Sequence, residues 1–352
     1  MASTKNLPLV PDDVTQAWLT EVLGLKIKTA ELTHAIHGTA SKLFFTLTYE
    51  ESEGAVEKPE FICVKGGINP GLTPSIRLLL TDLFRREVLF FNDVAPKVAK
   101  MDLVRCWWAG ENDLQGIVIM EDLRKKNLKF GTVTEPWGPD LVKSGLGQLA
   151  ILHATTWGQG QEEYSWLSPH YDQSVLGMIP AINYNEFVLD PERPQLPEHL
   201  QKQDRVEAFI KKYFAARNPK FKSLIHGDCH VNNTTISAEG TAAFIDWQLI
   251  GGGSCFHDVA YFMNSAMDIE VRRAHENELL DHYFEELHKH GGPKLSRDEE
   301  DVMIEFRKSQ LAGFGMVLAT TQMQPIEVLR ILITRFVAGI EDHQAVQLVE
   351  SL

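Results

Sequence analysis

The chain has 352 residues, of which 44% are hydrophobic, so it is long enough for two sizeable cores. Its 48 acidic and 34 basic residues give a formal net charge of −14, which argues against nucleic acid or an anionic membrane surface as the main partner. The four cysteines form no CxxC pair, so neither a disulfide framework nor a zinc ribbon is expected. We expect a cytoplasmic protein, because no basic leader precedes an apolar segment and no apolar run approaches about 18 residues.

The first third of the chain is predicted to consist mainly of β-strands. A helix is expected to begin at Pro11 and to end at Leu23, with Gly24 in the left-handed capping position. Apolar and polar residues alternate from residue 43 to 49, which predicts a strand with one buried face. Two further apolar runs, 103–109 and 114–120, predict a β-hairpin.

Two charged residues of opposite sign fall on faces that are otherwise apolar. Lys65 shares one face of a short strand with Phe61 and Cys63. Glu87 falls in the apolar stripe of a predicted helix over residues 75–92. A buried charge costs several kcal/mol unless it is paired. The pattern therefore predicts a Lys65–Glu87 ion pair; the alternative is that each side chain reaches solvent separately.

Beyond about residue 124 the pattern changes from strands to helices. Charge-rich residues 124–127 mark the boundary, which predicts one domain over 1–123 and a second over 124–352. A core helix is predicted over 140–157, and His153 within it is expected to be a hydrogen-bonded structural residue. Prolines divide the segment 158–222 into short pieces, and helices follow at 276–290, 298–321 and 325–350.

The residues that indicate chemistry lie in the segment 224–248, LIHGDCHVNNTTISAEGTAAFIDWQ. It is predicted to form a strand, a loop and a hairpin that bring Asp228, Asn233 and Asp246 to one edge. Phosphoryl transfer from a nucleotide requires a carboxylate to orient the attacking hydroxyl and hard oxygen ligands for Mg²⁺. An alternative is a zinc hydrolase that uses His226, Asp228 and His230, but it leaves Asn233 and Asp246 without a role.

The runs HGDCHVNN and FIDWQ resemble the motifs of the aminoglycoside phosphotransferase and choline kinase superfamily, and most closely those of the ecdysteroid-kinase-like (CHK-kinase-like) group. The resemblance implies an α+β, protein-kinase-like fold with a small lobe of five antiparallel strands and one helix, and a larger, mainly helical lobe. It also implies ATP and Mg²⁺ as cofactors. Asp228 is then the catalytic base, Asn233 and Asp246 are metal ligands, and Lys65 and Glu87 position the phosphates.

The resemblance implies roles for three further segments. Gly38, Thr39 and Ser41 occupy the loop that covers the phosphates in kinases, although this loop has one glycine where kinases have three; an ordinary hairpin loop is the alternative. Met120, Glu121 and Leu123 occupy the hinge whose backbone receives adenine. Asp258 corresponds to an aspartate that braces the catalytic loop. The glycine cluster 251–253 does not match a phosphate-binding loop, and we expect a tight turn there.

The acceptor is expected to be a small-molecule hydroxyl, because only eleven residues separate Asp246 from Asp258, too few for the activation segment of a protein kinase. In relatives the acceptor is bound by the segments that correspond to 157–222 and 300–345. Aromatic residues and methionines are frequent there: Trp157, Tyr164, Trp166, Tyr171, Tyr184, Phe187, Phe306, Phe314, Met316, Met323 and Phe336.

The acids of the first segment are not clustered, which favours a largely apolar acceptor such as a sterol-like alcohol. A choline- or aminoglycoside-type kinase and a catalytically degenerate binding protein remain as alternatives. The sequence leaves open the oligomeric state and the choice between ATP and GTP.

Overall fold

The computed structural model describes residues 6–50, 57–167 and 170–352. The side chain of Tyr171, one of the aromatic residues predicted for the acceptor region, lies outside the described residues. Contacts within the chain define two compact units. Unit 1 comprises Met1–Ala99, Leu103–Leu128 and Asp246–Leu249, and unit 2 comprises Lys100–Asp102, Lys129–Ile245 and Ile250–Leu352. The predicted division of the chain into two lobes after residue 123 stays a prediction.

Unit 1 is built on an antiparallel five-stranded sheet. In chain order its strands are β1 (Ile27–Ile36), β2 (Ser41–Tyr49), β3 (Phe61–Gly66), β4 (Cys106–Asn112) and β5 (Gln115–Glu121). Their order across the sheet is β1-β2-β3-β5-β4. Helix α1 (Gln16–Leu23) ends at Gly24, whose φ of 64° is the predicted left-handed cap. Helix α2 (Pro74–Leu89) continues into a π-helical turn, Phe90–Val94.

The two faces of the sheet explain why a lysine is found on β3. Ile62 and Val64 face a core that also holds the inward residues of β2, such as Phe45 and Leu47. Successive strand residues point to opposite faces, so Lys65 lies on the other face. That side chain is nevertheless 2% exposed. The alternation of side chains along β3 therefore places the charged side chain of Lys65 at a position from which solvent is excluded.

Unit 2 is mainly helical. Its helices are α3 (Pro139–Thr155), α4 (His170–Ala181), α5 (Gln203–Ala215), α6 (Cys255–Ala266), α7 (Ile269–Lys289), α8 (Glu300–Lys308), α9 (Phe314–Leu318), α10 (Ile326–Asp342) and α11 (Ala345–Ser351). Two short sheets accompany them: β6-β8-β9, from β6 (Leu128–Phe130), β8 (Thr234–Ser237) and β9 (Ala242–Phe244), and β7-β10, from β7 (Lys222–Ile225) and β10 (Gly251–Ser254). The limit between the units falls within β6, after Leu128. Over the described ranges, no helix has the length and apolarity needed to cross a membrane.

The prediction of a tight turn at the glycine cluster is wrong. Gly251–Ser254 forms β10, which pairs antiparallel with β7 from Gly251 opposite Ile225 to Ser254 opposite Lys222. The glycines allow β10 to approach β7 closely, and they do not reverse the direction of the chain. A Cβ atom on Gly253 would come within 2.7 Å of the side chain of Ile225. β7, the strand that leads into the loop carrying Asp228, is therefore packed against a partner strand that has no side chains at its three glycines.

Candidate functional site

The predicted ion pair between Lys65 and Glu87 is present in unit 1. The Lys65 ammonium lies 2.8 Å from the Glu87 carboxylate and 2.9 Å from Oδ1 of Asp246. Burial alone would lower the pKa of Lys65, but the carboxylates of Asp246 and Glu87 together raise it above its usual range. Lys65 is therefore a fixed positive charge between two carboxyl groups, and burial raises the pKa of Glu87 although Lys65 opposes the increase.

The backbone around Asp246 is held in an unusual conformation. Asp246 has a φ of 68°, in the left-handed region that residues other than glycine adopt rarely. The next residue, Trp247, donates its backbone N–H to Oε1 of Glu87 at 3.2 Å. The Trp247 ring stacks on Phe90, with centroids 3.8 Å apart and planes at 6°. These contacts fix the carboxylate of Asp246, whose side chain is 25% exposed, next to Lys65.

The predicted phosphate loop connects β1 to β2. Gly38 and Thr39 are exposed, whereas Ser41 is buried and its Oγ is hydrogen bonded to Nδ1 of His37 at 2.8 Å. Asn69 donates its side-chain amide to the carbonyl of Gly38 at 3.1 Å, which ties the loop to the end of β3. Gly38 and Thr39 are therefore exposed residues of the loop, and the Ser41 side chain is already hydrogen bonded to His37.

The predicted hinge residues Met120, Glu121 and Leu123 lie at the end of β5 and just beyond it. The intervening Asp122 is buried and accepts hydrogen bonds from the backbone N–H, Nε and Nη2 of Arg124. Its own N–H is donated to the carbonyl of Phe61 at 3.2 Å. The side chain of Asp122 thus fixes the course of the backbone at which adenine binding is predicted.

In unit 2, the carboxylate of Asp228 is held at both oxygens. The hydroxyl of Tyr261, on α6, donates a hydrogen bond to Oδ1 at 2.9 Å. Nδ2 of Asn233 donates to Oδ2 at 3.1 Å and to the backbone carbonyl of Asp228 at 2.9 Å. Nε2 of His230 lies 3.6 Å from Oδ2. Hydrogen bonds from fixed donors orient a carboxylate, which is what a general base that must meet one hydroxyl requires.

Asp258 braces the loop that carries Asp228. It accepts hydrogen bonds from the backbone N–H groups of His226 and Gly227 at 2.6 and 3.0 Å, and from Nε2 of His153 at 3.2 Å. Burial alone would raise the pKa of Asp258, but His153 and the neighbouring imidazoles lower it to about 2. Gly227 has a φ of 80°, a conformation that explains the glycine between His226 and Asp228. His153 is thus a structural core residue, as predicted.

The donor set fits Mg²⁺ and not Zn²⁺. The amide nitrogen of Asn233 donates both of its hydrogen bonds to Asp228, so Oδ1 of Asn233 points away from Asp228. An amide oxygen of this kind suits a hard cation. Mg²⁺ is commonly held by one or two protein oxygens together with phosphates and water. Within the described part of the chain, no three His, Cys, Asp or Glu side chains cluster as metal ligands would. His226 also engages both ring nitrogens, with Ile245 O and Asp228 N, which counts against the zinc alternative.

The two predicted groups fall in different units. Lys65, Glu87 and Asp246 are brought together in unit 1, and Asp228 and Asn233 are brought together in unit 2. The contact of Tyr261 with Asp228 was not predicted from the sequence, although the position of Tyr261 offered a signal. Tyr261 follows Asp258 by three residues on one helix, and residues at that spacing share a face. Helix α6 therefore contacts the loop that carries Asp228 through both Asp258 and Tyr261.

The fold of the chain is shared by several small-molecule kinases. An ethanolamine kinase of Plasmodium vivax is similar over 96% of this chain and 87% of its own, with a TM-score of 0.54 and 12% identity. An amicoumacin kinase, solved in complex with AMP-PNP and Ca²⁺, is similar over 92% and 91%, with a TM-score of 0.51 and 13% identity. These similarities confirm the predicted kinase-like α+β fold.

The model of the ecdysteroid kinase-like family matches residues 73–292, and the chain belongs to that family. An uncharacterized oxidoreductase of Caenorhabditis elegans, dhs-27, is 21% identical over 350 residues. That match covers 87% of this chain but 42% of the relative, so the chain spans less than half the length of this curated relative. The family predicted from HGDCHVNN and FIDWQ is confirmed.

Proposed function

We propose that the protein transfers the γ-phosphoryl group of ATP to a hydroxyl of a small, largely apolar molecule. The hydroxyl oxygen attacks the γ-phosphorus, the bond from that phosphorus to the β–γ bridging oxygen breaks, and ADP leaves. Asp228 takes the proton of the hydroxyl. Asn233 and Asp246 are the residues that would supply oxygen ligands to Mg²⁺, which would neutralise charge on the phosphates. Lys65, fixed by Glu87, binds phosphate oxygens.

The observation that carries this proposal is the environment of Lys65. The Lys65 side chain is 2% exposed, and its ammonium lies within 2.9 Å of two carboxylates. An apolar residue at this buried position would avoid the desolvation free energy that a buried charge costs. A buried ion pair of this kind is weak evidence for stability and better evidence for function. The family membership and the AMP-PNP complex of the similar amicoumacin kinase support a nucleotide as its partner.

The short connection between Asp246 and Asp258 supports a small acceptor and not a protein substrate. A 3-10 turn (Trp247–Leu249), β10 and the first turn of α6 fill this connection. These elements leave no residues for an activation segment. A protein kinase activity is therefore not proposed.

The test is an ATP-consumption screen over sterols, terpenoid alcohols, sugars, choline and aminoglycosides, with mass spectrometry for the gain of one phosphate. Asp228→Asn serves as the control because it keeps the shape of the side chain and removes the base. We expect turnover to fall at least ~10²-fold in this variant, while ATP binding persists. A near-normal kcat in Asp228→Asn would show that the assignment of the base is wrong.

A further inference from the structure

A cavity of about 370 Å³ lies within unit 2, beside the two-stranded sheet of β7 and β10. Its walls come from residues 160–162 and 217–219, from Lys222 on β7, and from residues 252–254 on β10. Its volume lies in the range of small-molecule sites, about 300–1,000 Å³. None of the residues assigned above to the nucleotide, the metal or the base is among the described lining residues. The cavity is therefore not part of the site already described.

Lys222 and Ser254 point to the same side of this sheet. They lie directly opposite each other in the antiparallel pairing of β7 and β10, and paired residues have their side chains on one face. Gly252, two residues before Ser254, belongs to that face as well. A Cβ atom on Gly252 would lie 3.9 Å from Cα of Gly160, and one on Gly160 would lie 2.5 Å from Nζ of Lys222. The side chains of Lys222 and Ser254 therefore border a space that two glycines leave open.

Ser254 carries a buried hydroxyl group that needs a partner. The residue is 2% exposed, and within the described ranges its Oγ has no hydrogen-bond partner. Ser254 immediately precedes the first turn of α6, where a serine side chain ordinarily accepts a hydrogen bond from a backbone N–H of the helix. Buried polar groups nearly always have a partner. An unpartnered hydroxyl at the wall of a cavity therefore indicates a ligand group that the described chain does not supply.

The start of α6 favours negative charge at this wall. α6 has 12 residues, and the backbone N–H groups of a helix's first turn carry partial positive charge. The acid of this turn, Asp258, directs its carboxylate to the backbone N–H groups of His226 and Gly227. Its charge is therefore engaged by the loop that carries Asp228.

The charged side chains that line the cavity are two cations and one acid: Arg217, Lys222 and Glu162. Arg217 donates Nη1 and Nη2 to the two carboxylate oxygens of Asp172, at 2.8 and 2.9 Å. Lys222 pairs with Glu162 at 2.8 Å, and the Glu162 side chain is 72% exposed. An ion pair exposed in this way contributes little to stability, because water and salt screen it. An entering anion can therefore replace the Glu162 carboxylate at Lys222.

We propose that this cavity binds a small oxyanion of the phosphate type, either free or as a phosphate monoester. A phosphate group presents several strong acceptor oxygens. The walls offer it the ammonium of Lys222, the hydroxyl of Ser254 and the amide nitrogen of Asn218, whose Oδ1 already accepts the N–H of Lys220 at 3.0 Å. The site goes beyond the proposed function, since it requires neither the nucleotide nor the acceptor.

The test is equilibrium dialysis with radiolabelled inorganic phosphate, in chloride at constant ionic strength, and with glycerol 3-phosphate as the monoester. Lys222→Met removes the ammonium, and Ser254→Ala removes the hydroxyl. Lys143→Met is the matched control, because Lys143 also pairs with a largely exposed acid, Glu278, elsewhere in unit 2. Glu162→Gln removes the competing carboxylate, and Glu278→Gln is its control. Each protein is measured with and without saturating Mg·AMP-PNP.

We expect the wild-type protein to bind one phosphate group per chain, whether or not Mg·AMP-PNP is present. The affinity should fall at least ~10-fold in Lys222→Met and in Ser254→Ala, because each variant loses a charge-assisted hydrogen bond. It should rise about twofold or more in Glu162→Gln, and the variants at positions 143 and 278 should keep the wild-type value. The tighter of the two probes identifies the source of the phosphate group.

Three results would overturn the inference: no binding to the wild-type protein, loss of the bound phosphate when Mg·AMP-PNP is added, or equal affinities in Lys222→Met and Lys143→Met. Glu162→Gln changes only an exposed side chain, so its expected gain in affinity remains decisive if Ser254→Ala proves unstable. An unchanged affinity in Glu162→Gln would likewise count against the site.

Discussion

The hydroxyl of Tyr261 donates a 2.9 Å hydrogen bond to Oδ1 of Asp228. The tyrosine is 1% exposed, and its ring contacts Phe336 on α10, with centroids 4.9 Å apart. Oδ2 of the same carboxylate accepts from Asn233. Rotation of the carboxylate about its last bond would break both hydrogen bonds, so Tyr261 and Asn233 together fix the orientation of the Asp228 carboxylate.

Tyr261→Phe should therefore lower kcat without weakening binding. The ring and its contact with Phe336 remain, and only the donor to Asp228 is lost. A hydrogen bond to a charged group contributes about 1.5–3 kcal/mol, so we expect kcat to fall about 10-fold or more, with the KM values for ATP and acceptor within about twofold. Tyr184→Phe is the control, because it also removes a buried phenol that donates to a carbonyl, that of Leu200. Equal loss of kcat in both variants would assign Tyr261 a merely structural role.

The metal dependence should distinguish Asp246 from Asn233. Asp246→Ala removes a charged ligand, and Asn233→Ala removes a neutral one, so the first variant should need the larger increase in Mg²⁺. We expect a half-saturating Mg²⁺ concentration for AMP-PNP binding that is raised on the order of 10-fold or more in Asp246→Ala. Unchanged Mg²⁺ dependence in Asp246→Ala would count against the kinase mechanism as a whole.

Replacing Lys65 should affect both stability and nucleotide binding. Lys65→Met keeps the length of the side chain but leaves Glu87 and Asp246 facing each other without a cation. Removing one partner of a buried ion pair costs about 3–5 kcal/mol, which urea denaturation would detect as a lower free energy of unfolding. Lys42→Met, on the neighbouring strand opposite Lys65 and less deeply buried, is the matched control. If the two variants had equal stability and equal affinity for AMP-PNP, the role assigned to Lys65 would be incorrect.

The buried His257 should make the protein less stable in mild acid. Burial, and then the nearby Arg217, lower the pKa of His257 from 6.5 to about 4. The unfolded chain takes up this proton near pH 6.5, whereas the folded protein accepts it only near pH 4, so unfolding becomes more favourable as the pH falls through this window. We expect His257 to reduce the free energy of unfolding by about 3 kcal/mol between these two pH values.

His257→Gln tests this pH dependence. Glutamine keeps an N–H that reaches the carbonyl of Gly227, which Nε2 of His257 contacts at 3.4 Å, but it does not titrate. Urea denaturation at pH 7 and pH 5 should therefore show a smaller difference in the variant than in the wild-type protein. Identical differences would show that another group is responsible for the sensitivity to acid.

The parts of the fold that could be predicted from the sequence are those fixed by local patterns. The alternation in β2 predicted a strand, and the charges of Lys65 and Glu87 on apolar faces predicted their contact. A turn was predicted at the position of β10 because glycine permits both turns and close strand pairing. Close pairing is what the structure shows, because the Ile225 side chain on β7 leaves no room for a Cβ atom at Gly253.

The left-handed backbone of Asp246 bears on how the proposed activity could be lost during evolution. A left-handed conformation costs a residue other than glycine about 1–2 kcal/mol, and this residue retains it at a φ of 68°. A replacement of Asp246 by glycine would relieve this strain and so offset part of the lost contact with Lys65. Such a descendant would still fold while it had lost its proposed metal ligand. A folded chain that lacks the proposed metal ligand is therefore one substitution away from this sequence.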